Sequence, residues 1–295
     1  MRRSLKRIAL KSFAVFSLLR LQNISLIILA QYLCAAFIFA PQRNIAQILL
    51  DTNVIFLILA SALTIASGYI INAFYDQEKD LINKPYVTML GRHLPQRHKI
   101  SAYFVLNFTA VVLSSAVSFR AVLFFSAYIF SLWLYSHKLK RIPLVGNIAW
   151  SVLTLTPFLG LFLYFSSTDA HIWLHASFLF LVFWALAMIK DLRNLPGDLS
   201  QNYATWPLVH GVSSAKCWIS GLLIATWMPA TWLWTSGAVG LMGYYFLFSM
   251  VAVFPLLWII WRAQSAPAYQ KAYNLLKLVI ALGVFSIVLM HWNVL

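Results

Sequence analysis

The chain is 295 residues long, 62% hydrophobic and only 10% charged, with a mean hydropathy of +0.80. Soluble domains carry about 25% charged residues, so this chain lacks the polar surface of a water-soluble fold and is expected to be an all-α, polytopic membrane protein. Its net charge of +15 does not point to nucleic acid, because the basic residues punctuate apolar runs instead of clustering on a soluble module.

A helix that crosses a bilayer needs about 20 apolar residues. The basic N-terminal run MRRSLKRIALKSF is followed by an apolar stretch without a small-residue cleavage site, so it reads as the flank of a retained first helix and not as a signal peptide. Nine spans are expected: Leu21–Ala40, Val54–Tyr75, Ser101–Phe119, Ala121–Ser136, Ile142–Phe165, Ile172–Ile189, Cys217–Pro229, Gly237–Trp261 and Leu278–Leu295. The seventh is the least defined. Nothing from Cys217 to Trp261 is charged, a run too long for one crossing, and it is divided near Pro229 and Gly237. Cys34 and Cys217 lie in apolar segments without disulfide or metal-site spacing, and both read as buried thiols.

Of the 22 Lys and Arg residues, all but Arg43 and Arg120 fall in the N-terminal segment or in the connections after the second, fourth, sixth and eighth spans. Positive residues stay on the cytoplasmic side, which places the N-terminus inside and, after nine crossings, the C-terminus outside. A single domain over residues 1–295 is expected, with a basic cytoplasmic segment at 1–20 and cytoplasmic loops at 76–100 and 190–216. A bacterial cell (inner) membrane is the expected setting.

Only seven residues are acidic. Asp51 and Asp169 fall in outer connections and are expected to be solvated. The other five lie on the inner side, in two segments. In INAFYDQEKDLINKP, Ile71 to Pro85, Asn72, Asp76 and Asp80 recur every fourth residue and stack on one helix face. In KDLRNLPGDLSQNYATWP, Lys190 to Pro207, Asp191, Asn194 and Asp198 again share a face, and Pro196 with Gly197 is expected to bend or end the helix before Asp198.

Carboxylates at membrane depth are costly and mark function. If both faces meet at the inner mouth of the bundle, Asp76, Asp80, Asp191 and Asp198 cannot remain together unneutralised. A hard divalent cation with oxygen ligands answers that charge, and Mg²⁺ suits it best when it also bridges to a phosphate. Lys84, Lys138, Lys140, Arg141 and Arg193 are placed to hold the remaining phosphate charge. Taken singly, each Asp is equally well explained as a helix cap or as the partner of a nearby Lys. His93, His98, His137 and His210 show no metal-ligand spacing and read as solvated or hydrogen-bonded.

At these residues the chain resembles the UbiA superfamily of membrane prenyltransferases. That family carries N-D-x-x-D-x-x-x-D after its second helix, matched here by Asn72, Asp76 and Asp80 with Ala73 in place of an Asp, and the continuation Leu81 to Pro85 is also similar. Its second motif resembles D-x-x-D-x-x-G-D, then a Gly, then T-L-P; the matching positions are Asp191, Asn194, Gly197, Asp198, Asn202, Thr205, Trp206 and Pro207. Tyr135 to Asn147, YSHKLKRIPLVGN, is similar to the family's connection between its fourth and fifth helices. The three segments cover about a sixth of the chain. Ala73 and Asn194 remove two formal negative charges relative to the fullest pattern, which leaves a catalytically impaired relative as one alternative.

The resemblance implies Mg²⁺-dependent transfer of an isoprenoid chain from a polyprenyl diphosphate to an acceptor, with release of diphosphate. It assigns Asp76, Asp80, Asp191 and Asp198 to the metal, Asn72, Lys84, Lys140 and Arg141 to the diphosphate, and Tyr135 or Tyr75 to the allylic cation left when diphosphate departs. The apolar tail would lie among the helices, against protein and membrane lipid. A glycerol-phosphate lipid, a quinone-ring precursor and a porphyrin are all acceptors in this superfamily, and NAFYDQEKDLINKP resembles its lipid-type branch. A cation- or proton-coupled transporter is the rival class, but transporter sites sit near the midplane, whereas these charges sit at helix ends beside basic loops. The D-G-x-x-A-R signature of CDP-alcohol transferases is absent.

Overall fold

The computed structural model describes residues 15–92, 94–167 and 169–291. Residues 1–14 of the basic N-terminal segment, His93 and the last four residues of the ninth expected span lie outside the described residues. Those described are helical, with no strand among them. The long elements are α1 (Leu21–Leu33, continued by a π-type turn Cys34–Phe39), α2 (Thr52–Tyr75), α3 (Gln77–Asn83), α4 (Pro85–Gly91), α5 (Gln96–Val117), α6 (Phe119–His137), α7 (Val145–Phe165), α8 (Ala170–Ser200), α9 (Val212–Ala225), α10 (Trp227–Thr235), α11 (Gly243–Arg262) and α12 (Ala266–Ser286).

Eight helices among the described residues are long and apolar enough to cross a membrane. Eight of the nine expected spans coincide with them. The seventh is instead two consecutive shorter helices, α9 and α10. The cause is local: Pro229 has no N–H to give the Ala225 carbonyl and its ring crowds that carbonyl, while the Thr226 hydroxyl turns back onto the Leu223 carbonyl at 2.6 Å. The regions expected as loops at 76–100 and 190–216 are largely helical as well. The last span begins earlier than hydropathy suggests, at Ala266, with Pro267 in its first turn.

The chain divides into two compact units. The first comprises described residues 15–28, 49–139 and 196–202. In it α2 packs against α5 and α6. The buried face of α2 is rich in small residues, Ala60, Ser61, Ala62, Thr64, Ala66, Ser67 and Gly68, which lets neighbouring helices approach closely where lipid offers no hydrophobic drive. The Ser67 hydroxyl donates to Asn107 Oδ1 on α5 at 2.5 Å. Asp51 does not stand free in water: it caps α2, accepting from the amides of Asn53 and Val54. The second unit comprises 29–48, 140–195 and described residues 203–291. There α11 packs on α9, α10 and α12, and Lys216, buried and not loop-solvated, donates to the carbonyls of Trp261 and Ala263 at 3.2 and 2.8 Å, satisfying the end of α11. Asp169 likewise accepts from the His171 amide at the start of α8, and that bond holds its carboxyl below the ordinary carboxylate value. Cys34 is buried as expected, whereas Cys217 is exposed.

The 31 residues of α8 span roughly 46 Å at about 1.5 Å per residue, well beyond a hydrocarbon core of about 30 Å. Its polar C-terminal part therefore projects past the apolar stretch. Contrary to expectation the helix runs through Pro196 and Gly197 to Ser200. The disruption is absorbed from outside: the Gly197 amide, whose intrahelical acceptor would be the Arg193 carbonyl, donates to Asn83 Oδ1 on α3 at 3.1 Å. The chain then leaves the helix through Asn202 at φ 52, a left-handed conformation that Asn tolerates better than other side chains.

The approach of α8 to α3 leaves no room at Gly197. A Cβ there would run into the Asn83 side chain and lie 2.8 Å from the Lys79 carbonyl. Gly197→Ala is expected to cost about 1–3 kcal/mol through overpacking, read as a lowered midpoint of thermal unfolding of the purified protein in detergent. Gly221→Ala on α9, where a Cβ meets nothing within 4 Å, is the control and should leave the midpoint unchanged or raise it, since Ala is favoured over Gly in a helix by about 0.5–1 kcal/mol. Equal midpoints for the two variants would contradict the close approach.

Candidate functional site

The first acidic segment forms a ladder. Asp76 sits at the junction of α2 and α3, with φ −94 and ψ 11, yet the i to i−4 backbone bonds continue across it: Asp76 to Asn72 at 2.9 Å, Asp80 to Asp76 at 2.8 Å and Lys84 to Asp80 at 2.8 Å. The side chains of Asn72, Asp76, Asp80 and Lys84 therefore share one face. Asn72 Nδ2 donates to Asp76 Oδ2 at 2.9 Å, and Lys84 Nζ approaches Asp80 Oδ1 at 3.4 Å. Asp76 is buried, whereas the Asp80 side chain keeps 19% of its surface exposed. An amide and a lysine thus bracket two carboxylates, one sheltered and one open to an arriving ligand.

One residue along, Lys79 and Asn83 make a second i,i+4 pair, turned about 100° from the ladder. This face takes the end of α8 within the first unit. Asn83 accepts the Gly197 amide, and the Lys79 ammonium forms an ion pair with Asp198. Asp198 is fully buried and Lys79 is 9% exposed. Removing either partner of such a pair leaves an uncompensated buried charge, worth about 3–5 kcal/mol. The second motif thus reaches the first at its end, where Asp198 meets Lys79.

In the second unit, Asp191 accepts from Asn147 Nδ2 at 2.7 Å. Arg193 donates from Nε to Asn194 Oδ1 at 3.0 Å and from Nη1 to Gln270 Oε1 at 2.9 Å, and its guanidinium lies 4.5 Å from the Tyr273 ring centre. The expected phosphate ligands Lys140 and Arg141 both lie over the buried ring of Tyr203, at 6.0 and 4.9 Å from its centre. An aromatic face holds a cation in place without neutralising it. Of the two tyrosines considered for the allylic cation, Tyr75 meets the His137 ring edge-on at 5.3 Å, and Tyr135 is half-buried near the end of α6. His137 itself stacks on Trp133, and His210 lies 4.1 Å from Trp206.

Among the described residues no three His, Cys, Asp or Glu side chains form a ready-made metal cluster. The donor chemistry of the ladder nevertheless fits a hard cation, for Asp76, Asp80 and Asn72 offer carboxylate and amide oxygens. Sequence reasoning overlooked Lys79, Asn83 and Asn147 as individuals. Lys79 and Asn83 lie inside the first acidic segment, where their i,i+4 spacing is a signal in itself, and Asn147 ends the segment that resembles the family's connection between its fourth and fifth helices.

This arrangement has relatives. The UbiA prenyltransferase family model matches residues 28–282, which runs through both units. The digeranylgeranylglyceryl phosphate synthase of Thermococcus gammatolerans is 29% identical over 237 residues, covering 79% of this chain and 83% of that protein. A solved structure of a digeranylgeranylglyceryl phosphate synthase matches with a TM-score of 0.70 at 16% identity, over 95% of this chain and 98% of that one. A UbiA homologue from Archaeoglobus fulgidus, bound to GPP and Mg²⁺, matches with a TM-score of 0.67 at 14% identity, over 93% and 99%. At those identities the two structures establish a shared fold, and the family match over most of the sequence establishes kinship: the chain belongs to the UbiA prenyltransferase family.

Proposed function

We propose that this protein transfers an isoprenoid chain from a polyprenyl diphosphate to a glycerol-phosphate lipid, with Mg²⁺ as cofactor and diphosphate as the leaving group. The observation that carries the reading is the Asn72–Asp76–Asp80–Lys84 ladder at the end of an apolar helix, in a chain of this family. The relatives named digeranylgeranylglyceryl phosphate synthase favour the lipid acceptor over a quinone precursor. Asp76 and Asp80 would hold Mg²⁺, whose role when bound is to neutralise the charge that develops on the departing diphosphate.

The chain's own residues prepare that departure. Asn72 orients the Asp76 carboxylate by donating to one of its oxygens, and Asn147 does the same for Asp191. Lys84, drawn only loosely to Asp80, is positioned to turn to a phosphate oxygen. Lys140 and Arg141, parked over Tyr203, offer further positive charge. As the carbon–oxygen bond to diphosphate breaks, the allylic carbon becomes cationic, and a π face such as that of Tyr135 or Tyr75 can stabilise it. The acceptor hydroxyl then bonds that carbon and loses its proton.

This is an integral membrane protein, on eight apolar helices and its family. We place the acidic helix ends on the cytoplasmic face, because the Lys and Arg residues concentrate in the same alternate segments. With Cys34 and Cys217 replaced by Ser, a single cysteine at Arg92 and one at Asp169 should be labelled from opposite sides of the membrane; labelling from one side refutes this topology.

Purified protein should release diphosphate from geranylgeranyl diphosphate when given geranylgeranylglyceryl phosphate and Mg²⁺, and a chelator should abolish release. Asp76→Ala and Asp191→Ala are expected to slow it by at least roughly 10²-fold, the scale of losing one electrostatic stabiliser. Variants as fast as the parent would remove these carboxylates from the site, and turnover with a quinone-ring acid but not the lipid would change the acceptor class.

A further inference from the structure

Arg20 ends the basic N-terminal segment, where its charge alone reads as a topology signal. Its backbone is unusual. Helical residues 15–19 and Leu21–Leu33 lie on either side of it, and Arg20 itself stands at φ 49, a left-handed conformation that few side chains adopt. Its carbonyl still accepts the amides of Asn23 and Ile24, at 2.8 and 3.3 Å, so α1 starts from this turn. The side chain is half-buried, and its guanidinium lies over the ring of Tyr69 on α2, 5.1 Å from the ring centre. Among the described residues no carboxylate forms an ion pair with it. Arg20, Tyr69 and the ladder all belong to the first unit.

Tyr69 sits six residues before the end of α2, about 9 Å along the helix and on the apolar side of the ladder. A cation that only marks topology extends its stem toward water; Arg20 is laid against α2 instead. Tyr69, Asn72, Ala73, Asp76 and Asp80 follow one another at helical spacing along one face. The place four residues after Tyr69, from which a carboxylate could answer this arginine, is Ala73. The face that presents Asn72 and Asp76 therefore also carries a guanidinium with no acid beside it. A ring holds a guanidinium by its flat face and leaves the in-plane N–H donors for an acceptor. That planar fork matches the oxygens of a phosphate, and residues held in sparse backbone regions gather at ligand clamps.

We propose that Arg20 binds a phosphate oxyanion of the reacting lipids, in a subsite formed by the start of α1 and the Tyr69–Ala73 turn of α2. The proposal rests on the reading of this protein as a transferase between two phosphate-bearing lipids. The oxyanion belongs either to the diphosphate of the donor or to the phosphate of the acceptor, and binding measurements on each separate the two.

Affinity is read from the rise of the thermal unfolding midpoint with ligand concentration, for the full-length protein in detergent with Mg²⁺. Geranylgeranyl diphosphate and geranylgeranylglyceryl phosphate are titrated separately, and geranylgeraniol, which has the tail but no phosphate, is the blank. Arg20→Gln should weaken binding of at least one phosphate ligand about tenfold or more, the scale of a lost hydrogen bond to a charged group, and leave the response to geranylgeraniol unchanged. A loss with the diphosphate assigns Arg20 to the donor, and a loss with the glyceryl phosphate assigns it to the acceptor. Arg120→Gln, which removes an exposed cation at the start of α6, is the control and should bind both ligands as the parent does. Should Arg20→Gln fail to fold, Arg20→Lys takes its place: it keeps the topological charge, lacks the planar fork, and should weaken one ligand about threefold or more. A folded Arg20 variant that binds both phosphate ligands like the parent overturns the proposal and leaves the transferase reading intact. A parent protein that neither phosphate ligand stabilises beyond geranylgeraniol overturns the transferase reading, and the proposal with it.

Discussion

The seating of the last turn of α8 on α3 is the constraint around which the first unit's polar chemistry is arranged. Three features act together there: the Gly197 amide on Asn83, the Lys79–Asp198 ion pair, and the absence of a side chain at Gly197. Each solves a problem another creates. Pro196 has no N–H to give the Leu192 carbonyl, the next amide, Gly197, donates to Asn83, and Asn83 sits that close because position 197 has no Cβ. The same proximity buries Asp198, which then requires a cation at contact distance. A helix interrupted by proline usually stops or kinks; here the helix continues to Ser200, with the amide after the proline donating to a neighbouring side chain.

Much of this architecture can be read from hydropathy and charge. Eight apolar helices among the described residues stand where the sequence has long apolar runs, and the Asn72–Asp76–Asp80 periodicity is realised as one face. What could not be read depends on contacts between segments distant in sequence. The break between α9 and α10 has a local cause in Pro229, but hydropathy averages over it. The continuation of α8 through Pro196 needs Asn83, far earlier in the chain. Lys79 and Lys216 look like topology-setting loop cations because a sequence shows their charge and hides their burial. Asp51 and Asp169 look solvated for the complementary reason: a cap is a bond to the residue's own helix start, invisible until that start is located.

The second unit deals with its cations differently. Where Lys79 is spent on a carboxylate, Lys140 and Arg141 rest on the face of Tyr203, and Arg193 divides itself between Tyr273, Asn194 and Gln270. A ring face or a neutral amide fixes a guanidinium without cancelling its charge, whereas a buried carboxylate cancels it almost completely at range.

This contrast bears on how a family motif tolerates loss of its acidic residues. A hard divalent ion is held by oxygen atoms, and those oxygens need not all come from protein when a diphosphate supplies several of its own. Each protein carboxylate removed, as at Ala73 and Asn194, lowers the repulsion that the remaining carboxylates must overcome before the ion arrives. A lysine placed on a third carboxylate, as Lys79 is on Asp198, lowers it again. Asn72 and Asn147 hold Asp76 and Asp191 in fixed orientation with uncharged donors.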